Sequence, residues 1–374
     1  MGRSWLADED CGVKALSGRE VEIQKCISCL RCFDSLSEYN AAGIPAECAV
    51  NPRCAREHRY GELKKDVAGN RAVIVGGGPA GLSAARTLAM RNVKVTLLEK
   101  NARLGGQINM AKEPPLKERL DWFIQYNEYE LDRLGVDVRL GTEATAAAVE
   151  ALEPNAVVIA TGGDPIVPGS IPGVTSSHVY GVNDVLSGVS GLEGKTVAVI
   201  GAGMTGIETA EYLCAKGNTV TIVEMQDKVA PDGYRTNVAD VTGRLKKHGA
   251  KYMLGHALQA IHESSIEVEE VATKERKTLP VDAVVLSLGL KPNSRLADAL
   301  RGKFEVHVLG DAAQIGRIAP AVRGGYECGA KLFIKQPKAP SFYTSKEDMA
   351  NHGKVSLMGD QEGVYMAFLS DPAA

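Results

Sequence analysis

The stretch RAVIVGGGPAGLSAARTLAMRNVKVTLLEK, residues 71–100, decides the fold because it contains a complete strand–turn–helix–strand unit. An apolar strand leads into a glycine-rich turn, an amphipathic helix follows, and a second apolar strand ends in an acid. A similar stretch, KTVAVIGAGMTGIETAEYLCAKGNTVTIVEM, occupies residues 195–225. Each stretch predicts a βαβ unit of the dinucleotide-binding kind.

The two units share the glycine spacing that a bound pyrophosphate requires. In each unit the first glycine permits the tight turn, the second leaves the backbone open to the phosphates, and the third lets the helix lie close to the sheet. The N–H groups of the helix N-terminus then face the phosphates. The predicted phosphate-binding glycines are Gly76, Gly78 and Gly81 in the first unit and Gly201, Gly203 and Gly206 in the second.

An acid closes each unit. Glu99 and Glu224 both lie 23 residues after the first glycine of their unit, where a carboxylate can bind ribose hydroxyls. One such motif is a weak signal, but two in full βαβ context predict two bound dinucleotides. The neighbouring positions assigned to the sites are Pro79, Ala80 and Lys100 in the first and Thr205 in the second.

Glu224 also bears on the choice of cofactor in the second site. A carboxylate at this position favours the free 2′-hydroxyl of NADH and repels the 2′-phosphate of NADPH. No arginine follows closely in EMQDKVAPD. We therefore expect NADH rather than NADPH.

A cysteine-rich segment, CISCLRCFDSLSEYNAAGIPAEC, occupies residues 26–48. Disulfides, zinc and an iron–sulfur cluster are the three alternatives. Eight cysteines in 374 residues do not form a disulfide scaffold. Zinc sites usually pair two C-x2-C knuckles, or one knuckle with two histidines, and that second half is missing. The triple C-x2-C-x2-C is typical of a [4Fe–4S] cluster, with ligands Cys26, Cys29, Cys32 and Cys48.

The remaining cysteines have other expected roles. Cys54 is the alternative fourth ligand, and Cys11 lies too far upstream to be a strong candidate. Cys214 and Cys328 occur within helical patterns, which predicts small buried side chains. The seven histidines show no metal spacing.

Composition limits the classes of partner. The chain is 44% hydrophobic and 24% charged with a net charge of −3, and no basic face indicates a nucleic acid partner. No run of 18 apolar residues predicts a membrane helix, and the N-terminus lacks the apolar core of a signal peptide. We expect a cytoplasmic protein without membrane or nucleic acid partners.

Four further stretches resemble the flavoprotein family that carries two dinucleotide domains. They are LGGQ (104–107), VVIATGGDP (157–165), DAVVLSLGLKPN (282–293) and VHVLGDAA (306–313), and they follow the family's order. The resemblance implies FAD in the first site and a flavin ribityl contact from Asp311. The further FAD-site positions that it implies are Gly106, Gln107, Thr161, Gly162, Gly289, Gly310 and Ala321.

The same resemblance implies the domain organisation and a catalytic candidate. The fold class is α/β, with two Rossmann-like domains preceded by a cysteine-rich cluster segment at 1–70. The FAD domain comprises 71–162 and 281–335 and is split by an inserted NAD(P) domain at 163–280. Glu208, in the second unit, lies beside the nicotinamide in this family, or is an ordinary exposed helix residue.

The cysteine segment directly before an FAD domain is more specific still. CISC–RC, ECAVNPRCARE and GGGPAGL resemble the 2,4-dienoyl-CoA reductase and trimethylamine dehydrogenase family over roughly residues 3–332. Its members combine a (β/α)8 barrel carrying FMN, a [4Fe–4S] cluster and an FAD/NAD(P) module. In the reductases, electrons pass from NAD(P)H through FAD, the cluster and FMN to an activated C=C bond.

The chain departs from that family at its start. A (β/α)8 barrel needs about 250 residues, whereas only 70 residues precede the first glycine motif. Either this is a separately encoded subunit whose partner carries the FMN barrel, or it is a fragment of a longer reductase. Both a homo-oligomer and a hetero-oligomer are compatible with this interpretation.

Four further expectations follow. The face around 1–55 is expected to be apolar and to meet the barrel, with Trp5, Leu6, Ile27, Leu30 and Phe33 as candidates, unless they pack around the cluster. The tail 336–374 contains KVSLMGDQEGVYMAFL, which predicts a hairpin. In trimethylamine dehydrogenase the pocket equivalent to the FAD site holds ADP, so a non-catalytic nucleotide-binding subunit is the alternative function. Disulfide reduction is excluded because no redox cysteine pair lies between Cys54 and Cys214.

Overall fold

The computed structural model describes residues 2–39, 45–65, 67–334, 356–359 and 365–368, with only the backbone given for 38–39 and the last two ranges. The chain divides into two compact units, Met1–Leu332 and Phe333–Ala374. The helices are α1 Gly2–Ala7, α2 Cys11–Leu16, α3 Arg31–Tyr39, α4 Glu57–Tyr60, α5 Pro79–Met90, α6 Ile108–Ala111, α7 Asp121–Arg133, α8 Ala146–Glu150, α9 Val182–Leu186, α10 Met204–Ala215, α11 Arg235–Lys247, α12 Arg295–Leu300 and α13 Ile318–Lys331.

The strands alternate with these helices through most of the first unit. They are β1 Arg71–Val75, β2 Lys94–Leu98, β3 Asp137–Arg139, β4 Ala156–Ile159, β5 Gly163–Pro165, β6 Val179–Gly181, β7 Thr196–Ile200, β8 Thr219–Glu224, β9 Lys251–Leu254, β10 His256–His262, β11 Ser265–Glu270, β12 Arg276–Pro280, β13 Ala283–Leu286, β14 Leu290–Pro292, β15 Glu305–Val308, β16 Ser356–Gly359 and β17 Tyr365–Phe368.

The first βαβ unit forms the centre of a five-stranded parallel sheet with the order β15-β4-β1-β2-β3. In β1 and β2 every residue after the first is buried, and all of β4 is buried. Continuous apolar runs of this kind are typical of parallel strands covered by helices on both faces. The carboxyl ends of β1, β4 and β15 therefore meet at one edge, where ligands bind in such sheets.

The second βαβ unit forms the centre of a second parallel sheet, with the order β6-β13-β7-β8-β9. An antiparallel sheet of β10, β11 and β12 covers one face of it. Side chains from both sheets share one apolar cluster, which includes Ile200, Ile266 and Val284. The predicted α/β class with two Rossmann-like sheets is confirmed.

The chain crosses between the two sheets through a short antiparallel ribbon. β5 leaves the first sheet, and β14 returns beside it, with Gly163 paired to Pro292. The sequence assigns 281–335 to the first domain, but β13 pairs with β6 and β7 in the second sheet. The chain therefore returns to the first domain later than residue 281. An apolar run such as AVVL suits either sheet, so the sequence pattern does not say which one it joins.

The cysteine-rich segment packs against the first domain. Gln24 donates a hydrogen bond to the Val50 carbonyl at 2.5 Å, which ties the two halves of the segment together. Tyr60 donates to Glu327 on α13 at 2.6 Å, and its ring meets Tyr326 edge to face. The segment is thus attached to the helix that follows the Asp311 loop.

The second compact unit is described only in part. β16 and β17 pair antiparallel, with Ser356 opposite Phe368 and Gly359 opposite Tyr365. Of the predicted GDQEG turn between them, only Gly359 is described, and residues 360–363 lie outside the described residues. Within the described part of the chain, none of the helices has both the length and the apolar character needed to cross a bilayer.

Candidate functional site

The glycine turn after β1 has a backbone path that only glycine permits. Gly76 has φ +105°, and a Cβ there would lie 2.3 Å from the Ala160 carbonyl oxygen. A Cβ on Gly81 would lie 1.9 Å from the Gly76 carbonyl oxygen. Both contacts are with backbone atoms that cannot move aside. The turn and the helix it starts are therefore held close against the sheet.

Gly78 faces the space where a pyrophosphate would lie. A Cβ on Gly78 would have only the Gly106 Cα within 4.0 Å. α5 begins with Pro79 and carries Ala80 buried beneath, so its first N–H groups open toward that space. The Gly105 N–H donates to the Gly77 carbonyl at 2.8 Å. The loop that contains Gly106 thus crosses directly over the glycine turn.

Glu99 is fixed beside this turn. Its side chain is only 4% exposed, and it accepts hydrogen bonds from the Gly77 N–H at 2.7 Å and the Asn101 N–H at 2.8 Å. A carboxylate held by two backbone donors keeps one orientation. Lys100, the next predicted residue, and Gln107 are both exposed.

The second site repeats this geometry around Gly201. Gly201 also has φ +105°, and a Cβ there would lie 2.3 Å from the Ser287 carbonyl oxygen. Glu224 accepts hydrogen bonds from the Ala202 N–H at 2.7 Å and the Gln226 N–H at 2.9 Å. A Cβ on Gly206 would meet the Gly201 carbonyl oxygen at 2.0 Å.

The outer face of the second site is open. A Cβ on Gly203 would have no atom within 4 Å. Gly203 and Thr205 are exposed, and Glu224 is half-buried. The glycine turn of the second site is therefore open at Gly203.

The remaining positions assigned to the first site lie at the carboxyl ends of β4 and β15. Gly310 has φ +58°, and a Cβ there would lie 2.8 Å from Ala80 and 3.8 Å from Ala321. Asp311 follows, and one of its oxygens accepts the Gly316 N–H at 2.9 Å. Burial raises the pKa of Asp311 above its ordinary value, and this hydrogen bond opposes the rise. Gly310 and Asp311 are thereby brought next to the start of α5.

Three further predicted residues, Thr161, Gly162 and Gly289, lie beside the antiparallel ribbon of β5 and β14. Thr161 donates its hydroxyl hydrogen to the Asn293 carbonyl, and the Asn293 N–H donates to the Gly162 carbonyl at 3.1 Å. Gly162 and Gly289 have φ +78° and φ +85°, with open space around both. These residues therefore mark where the chain passes between the sheets.

Glu208 lies at the junction of the two domains. It is 9% exposed on α10, and its carboxylate forms an ion pair with Lys117 from the first domain. The half-buried pair can hold the two domains in register and place a charge at their junction. Glu208 is therefore not the solvent-exposed helix residue that was its alternative interpretation.

The predicted cluster ligands are neighbours in the fold. Burial raises the pKa of the Cys29 thiol, and nearby Cys26 and Cys32 raise it further. Burial also raises the pKa of Cys48 to about 12, with added contributions from Cys29 and Cys54. The Cys29 thiol therefore interacts with Cys26 and Cys32, and the Cys48 thiol interacts with Cys29 and Cys54.

The backbone around these thiols is shaped to donate hydrogen bonds to sulfur. Ser28 and Leu30 have φ of +56° and +61°, a region that residues with side chains seldom occupy. The Ser28 N–H contacts the Cys26 sulfur at 3.4 Å. Backbone N–H groups directed at a thiolate stabilise its charge. Strain at such positions is typical of a loop shaped for a ligand.

These residues suit an iron–sulfur cluster, although they are not preassembled. Within the part of the chain that the structure describes, no three His, Cys, Asp or Glu side chains already form a metal-binding group. The donors are nevertheless several neighbouring thiols with N–H groups at their sulfurs, which is the chemistry an iron–sulfur cluster requires. The raised pKa values of the Cys29 and Cys48 thiols mean that binding of a cluster there would release protons.

A buried carboxylate lies beside the thiols. Glu47 is 6% exposed and contacts Arg31, Arg56 and Arg323. Burial alone would raise the pKa of Glu47, but the hydrogen bonds and positive charge of Arg31 and Arg323 hold it below its ordinary value. The residue therefore carries a negative charge at neutral pH.

Sequence reasoning missed Lys117 and Glu47. Each has a partner far away in the chain. Lys117 and Glu208 are 91 residues apart, and Glu47 and Arg323 are 276 residues apart. Neither lies in a motif with regular spacing. The only signal was local: Glu47 directly precedes a predicted ligand, and arginines lie next to others.

The face predicted to be apolar is only partly exposed. Trp5 and Phe33 are 48% and 58% exposed, whereas Ile27 is 5% exposed and Leu6 and Leu30 are half-buried. Four residues not predicted, Val13, Leu16, Val21 and Leu36, are 60%, 94%, 69% and 51% exposed. The N-terminal segment therefore presents apolar side chains, but not all of those expected.

Comparison with known proteins gives the following matches. Residues 70–308 match the family model described as pyridine nucleotide-disulphide oxidoreductase. An NADH oxidase of Thermoanaerobacter brockii is 38% identical over 335 residues, which is 87% of this chain and 50% of the relative. A bilirubin reductase of Mediterraneibacter gnavus is 34% identical, again over 87% of this chain and 50% of the relative.

A solved structure agrees with these matches. A 2-naphthoyl-CoA reductase in complex with 2-naphthoyl-CoA superposes with a TM-score of 0.81 at 31% identity, covering 88% of this chain and 50% of that one. The predicted resemblance to the 2,4-dienoyl-CoA reductase and trimethylamine dehydrogenase family is confirmed. The chain spans about half the length of the curated relatives it matches.

The matched region lacks one feature that the family description names. Between residues 70 and 308 the sequence contains a single cysteine, Cys214. It is 8% exposed within α10, and burial raises its pKa to about 11. A lone protonated thiol cannot reduce a disulfide by dithiol exchange.

Proposed function

The chain belongs to the pyridine nucleotide-disulphide oxidoreductase family, and from this we propose that it is an NADH-oxidising electron-transfer module. It binds FAD in the Gly76 site, NADH in the Gly201 site, and a [4Fe–4S] cluster at Cys26, Cys29, Cys32 and Cys48. The observation that carries the proposal is the pair of matched nucleotide sites in one compact unit that also holds the thiols. The cluster held by these cysteines would supply single-electron transfer to FMN on a barrel, in a partner or in a further part of the protein.

The first site is suited to a cofactor that stays bound. Glu99 and the glycine turn bind the adenosine ribose and the pyrophosphate, and the loop of Gly106 covers the turn. The Asp311 carboxylate accepts hydrogen bonds from a polyol chain at the carboxyl ends of β4 and β15. FAD, when bound there, accepts a hydride and passes electrons on singly.

The second site is suited to a cofactor that exchanges. Glu224 binds the ribose hydroxyls of NADH, and the open space at Gly203 admits the pyrophosphate. Glu208 is placed at the domain junction with Lys117 as its partner, where it can orient a nicotinamide ring.

The cluster segment is suited to face an acceptor. A cavity of about 390 Å³ lies beside Cys26 and is lined by Lys25, Ser28, Arg119 and Trp122 among others. Exposed Trp5, Phe33 and Leu16 belong to the same segment. These exposed apolar side chains are available to contact a partner. Enzymes named as reductases of bilirubin and 2-naphthoyl-CoA among the similar proteins support an activated C=C bond as the final acceptor.

Spectroscopy of anaerobically purified protein tests the proposal. We expect flavin absorption that NADH bleaches, together with about four iron and four sulfide per chain. Replacing Cys26 by Ser should remove the iron and sulfide and leave FAD bound, because the flavin site lies elsewhere. Cys328→Ser is the matched control, since Cys328 is a half-buried thiol on α13 outside the proposed ligands.

Two outcomes would contradict the proposal. A colourless protein that retains only ADP would instead support a nucleotide-binding structural subunit. Stoichiometric zinc without iron would refute the cluster. A Cys48→Ser variant that keeps a full cluster would transfer the role of fourth ligand to Cys54.

The isolated chain also tests the relay. We expect it to reduce artificial dyes with NADH and to leave unsaturated substrates unchanged. Reduction of an enone by the chain without FMN or a partner would overturn the relay.

A further inference from the structure

Glu47 is the meeting point of three arginines from three parts of the chain. Its Oε2 accepts hydrogen bonds from Arg31 Nε at 2.8 Å and Nη2 at 2.6 Å. Its Oε1 accepts from Arg56 Nη2 at 3.2 Å and also pairs with Arg323. With 6% of its surface exposed, Glu47 is almost fully shielded from water. Removing a carboxylate from such a site leaves buried positive charges without a partner.

Each arginine of the cluster segment adjoins a turn that bears a thiol. Arg31 lies between Cys29 and Cys32 in the chain, and Glu47 directly precedes Cys48. Arg56 donates to the Cys54 carbonyl at 3.3 Å. One carboxylate therefore connects the turn of the first three thiols to the turns of the later two.

A backbone hydrogen bond strengthens the connection. The Glu47 N–H donates to Ser35 Oγ at 3.0 Å, and the Ser35 hydroxyl donates to the Cys32 carbonyl at 3.0 Å. Ser35 has no exposed surface. Side chain and backbone of Glu47 thus hold the same two turns together.

Arg323 extends the connection to the first nucleotide site. It lies on α13, two residues after Ala321, which faces Gly310. The preceding residue, Val322, accepts the Ser83 hydroxyl of α5 at 2.7 Å, so this part of α13 is fixed against the helix of the glycine turn. Glu47 therefore joins the thiol turns to the helix pair that encloses the first site.

The local charges explain why a carboxylate is needed there. Three guanidinium groups surround Glu47, and Asp34 lies 3.7 Å from Arg31. Without Glu47 the three cations would repel one another at short range. The arrangement would then separate at the contact between Arg323 and the cluster segment.

We propose that Glu47 is a positioning residue that fixes the thiol turns relative to each other and to α13, and so sets the distance between cluster and flavin. It is not one of the proposed ligands and acts through its arginines. The proposal rests on the proposed function in that cluster and flavin exchange electrons. Its structural part, the attachment of the cluster segment to α13 through Glu47 and Arg323, does not depend on a bound metal.

The experiment compares wild type, Glu47→Gln and Glu47→Asp in the full chain. Glu47→Gln keeps the shape and removes the charge. Glu47→Asp keeps the charge and shortens the reach. Glu211→Gln is the matched control, because Glu211 is also buried and also paired with an arginine, Arg244, but lies in the second domain.

Amide hydrogen exchange of chelator-treated protein is the first measurement. In Glu47→Gln we expect protection across residues 45–56 and the first turns of α13 to fall by about tenfold or more, as loss of a charged hydrogen-bond network implies. In Glu211→Gln we expect loss of protection in α10 and α11 only. Arg323→Gln removes only one of the three arginine contacts of Glu47. It should lower amide protection in α13 and leave protection at 45–56 unchanged. This variant replaces Glu47→Gln in the comparison if Glu47→Gln does not fold.

Electron transfer in the loaded protein is the second measurement. Bleaching of the flavin by NADH should stay within about twofold of wild type in Glu47→Gln, whereas reduction of the cluster should slow about tenfold, because a small misplacement is costly for transfer. The cluster potential should become more positive in Glu47→Gln, where a negative charge is lost, and should stay unchanged in Glu47→Asp, where only the spacing changes.

The outcomes separate the two proposals. Unchanged exchange at both 45–56 and α13 in Glu47→Gln would overturn the positioning role, as would equal losses there in Glu211→Gln. If wild type binds no iron but Glu47→Gln still loses amide protection at 45–56 and α13, the proposed function would be contradicted. The structural link between the cluster segment and α13 would still stand. Cluster reduction at the wild-type rate in Glu47→Gln and Glu47→Asp would overturn the part that concerns distance.

Discussion

The two βαβ units have the same backbone conformation at the glycine turn but differ in the segments that pack over it. Gly76 and Gly201 have the same φ of +105°, and a Cβ on either would lie 2.3 Å from a carbonyl of the neighbouring strand's end. Each acid accepts a hydrogen bond of 2.7 Å from the residue after that glycine. The local motif is therefore the same in both halves.

The enclosure is different. In the first unit Gly106 lies over Gly78, and Glu99 is 4% exposed. In the second unit Gly203 has open space, and the residue after Glu224, Met225, is 62% exposed. A motif of this kind thus determines where phosphate binds, while the segments that follow it determine how easily the nucleotide leaves. We expect slow release from the first site and fast exchange at the second.

The largest expected effect comes from adding a side chain at the first glycine of either turn. Gly76→Ala and Gly201→Ala should each destabilise the fold by at least about 3 kcal/mol, since each adds a strained φ and an overlap with backbone. Urea unfolding followed by circular dichroism measures this. Gly76→Ala should also abolish flavin absorption, whereas Gly201→Ala should keep the flavin and lose the response to NADH.

A control separates clash from general sensitivity to alanine. Gly243 lies inside α11 with no atom within 4 Å of its added Cβ. Gly243→Ala should stabilise the protein by about 0.5–1 kcal/mol, because alanine favours helix. Loss of flavin in Gly201→Ala would show that the two sites are not independent.

A smaller effect is expected at the second glycine of each turn. Gly203→Ala should leave the free energy of unfolding within about 0.5 kcal/mol of wild type, because a Cβ there meets no protein atom. It should weaken NADH binding by about 2–3 kcal/mol, since the methyl group occupies the place of the pyrophosphate. Titration of flavin bleaching with NADH measures the change.

Gly78→Ala is the partner variant for the first site. Its Cβ approaches only Gly106, at 4.0 Å. The protein should fold and lose FAD, with NADH binding retained. Unchanged nucleotide affinity in both variants would mean that the pyrophosphates lie elsewhere.

The acids should differ in what they support. Glu224→Ala should reduce the preference for NADH over NADPH by about 1–2 kcal/mol, because the ribose hydroxyl loses its acceptor and the 2′-phosphate loses a repelling charge. The ratio of kcat/KM for the two cofactors measures it. Glu99→Ala, which removes a buried acceptor of two backbone N–H groups, should chiefly lower stability. A wild type that strongly prefers NADPH would contradict the role of Glu224.

The smallest expected effect concerns pH and the first site alone. Burial raises the folded-state pKa of Asp311 above 3.8, so the folded protein binds this proton more tightly than the unfolded chain. Stability should therefore fall as pH rises from about 4 through the raised pKa. Asp311→Asn in the flavin-free protein should flatten this decline and move Tm by a few degrees at most. Tm values measured between pH 4 and pH 8 check the sign, and a steeper decline in the variant would contradict it.

Much of the fold and part of the candidate site could be predicted from local patterns. Buried apolar strands, the glycine turns and Glu99 and Glu224 are all set within about 30 residues of sequence, the length of a βαβ unit. The C-x2-C-x2-C spacing likewise brings Cys26, Cys29 and Cys32 together in one turn. These features needed no knowledge of distant contacts.

Other features could not be predicted because they depend on partners from distant segments. The apolar run of β13 suits either sheet, and only its pairing with β7 places it in the second. Glu208 had two equal interpretations until the fold brought Lys117 to it. Leu16 belongs to no motif, and its exposure became evident only from the packing of the N-terminal segment.

The sequence by itself determined two nucleotide sites and a set of thiols, because each is built from consecutive residues whose backbone geometry is local. Only the tertiary structure decided how they are connected. Glu47, its three arginines and the Lys117–Glu208 pair join segments that are far apart in the chain, and burial makes those charges depend on one another. Enclosure of the first site and openness of the second were decided in the same way, by loops that pack over identical turns.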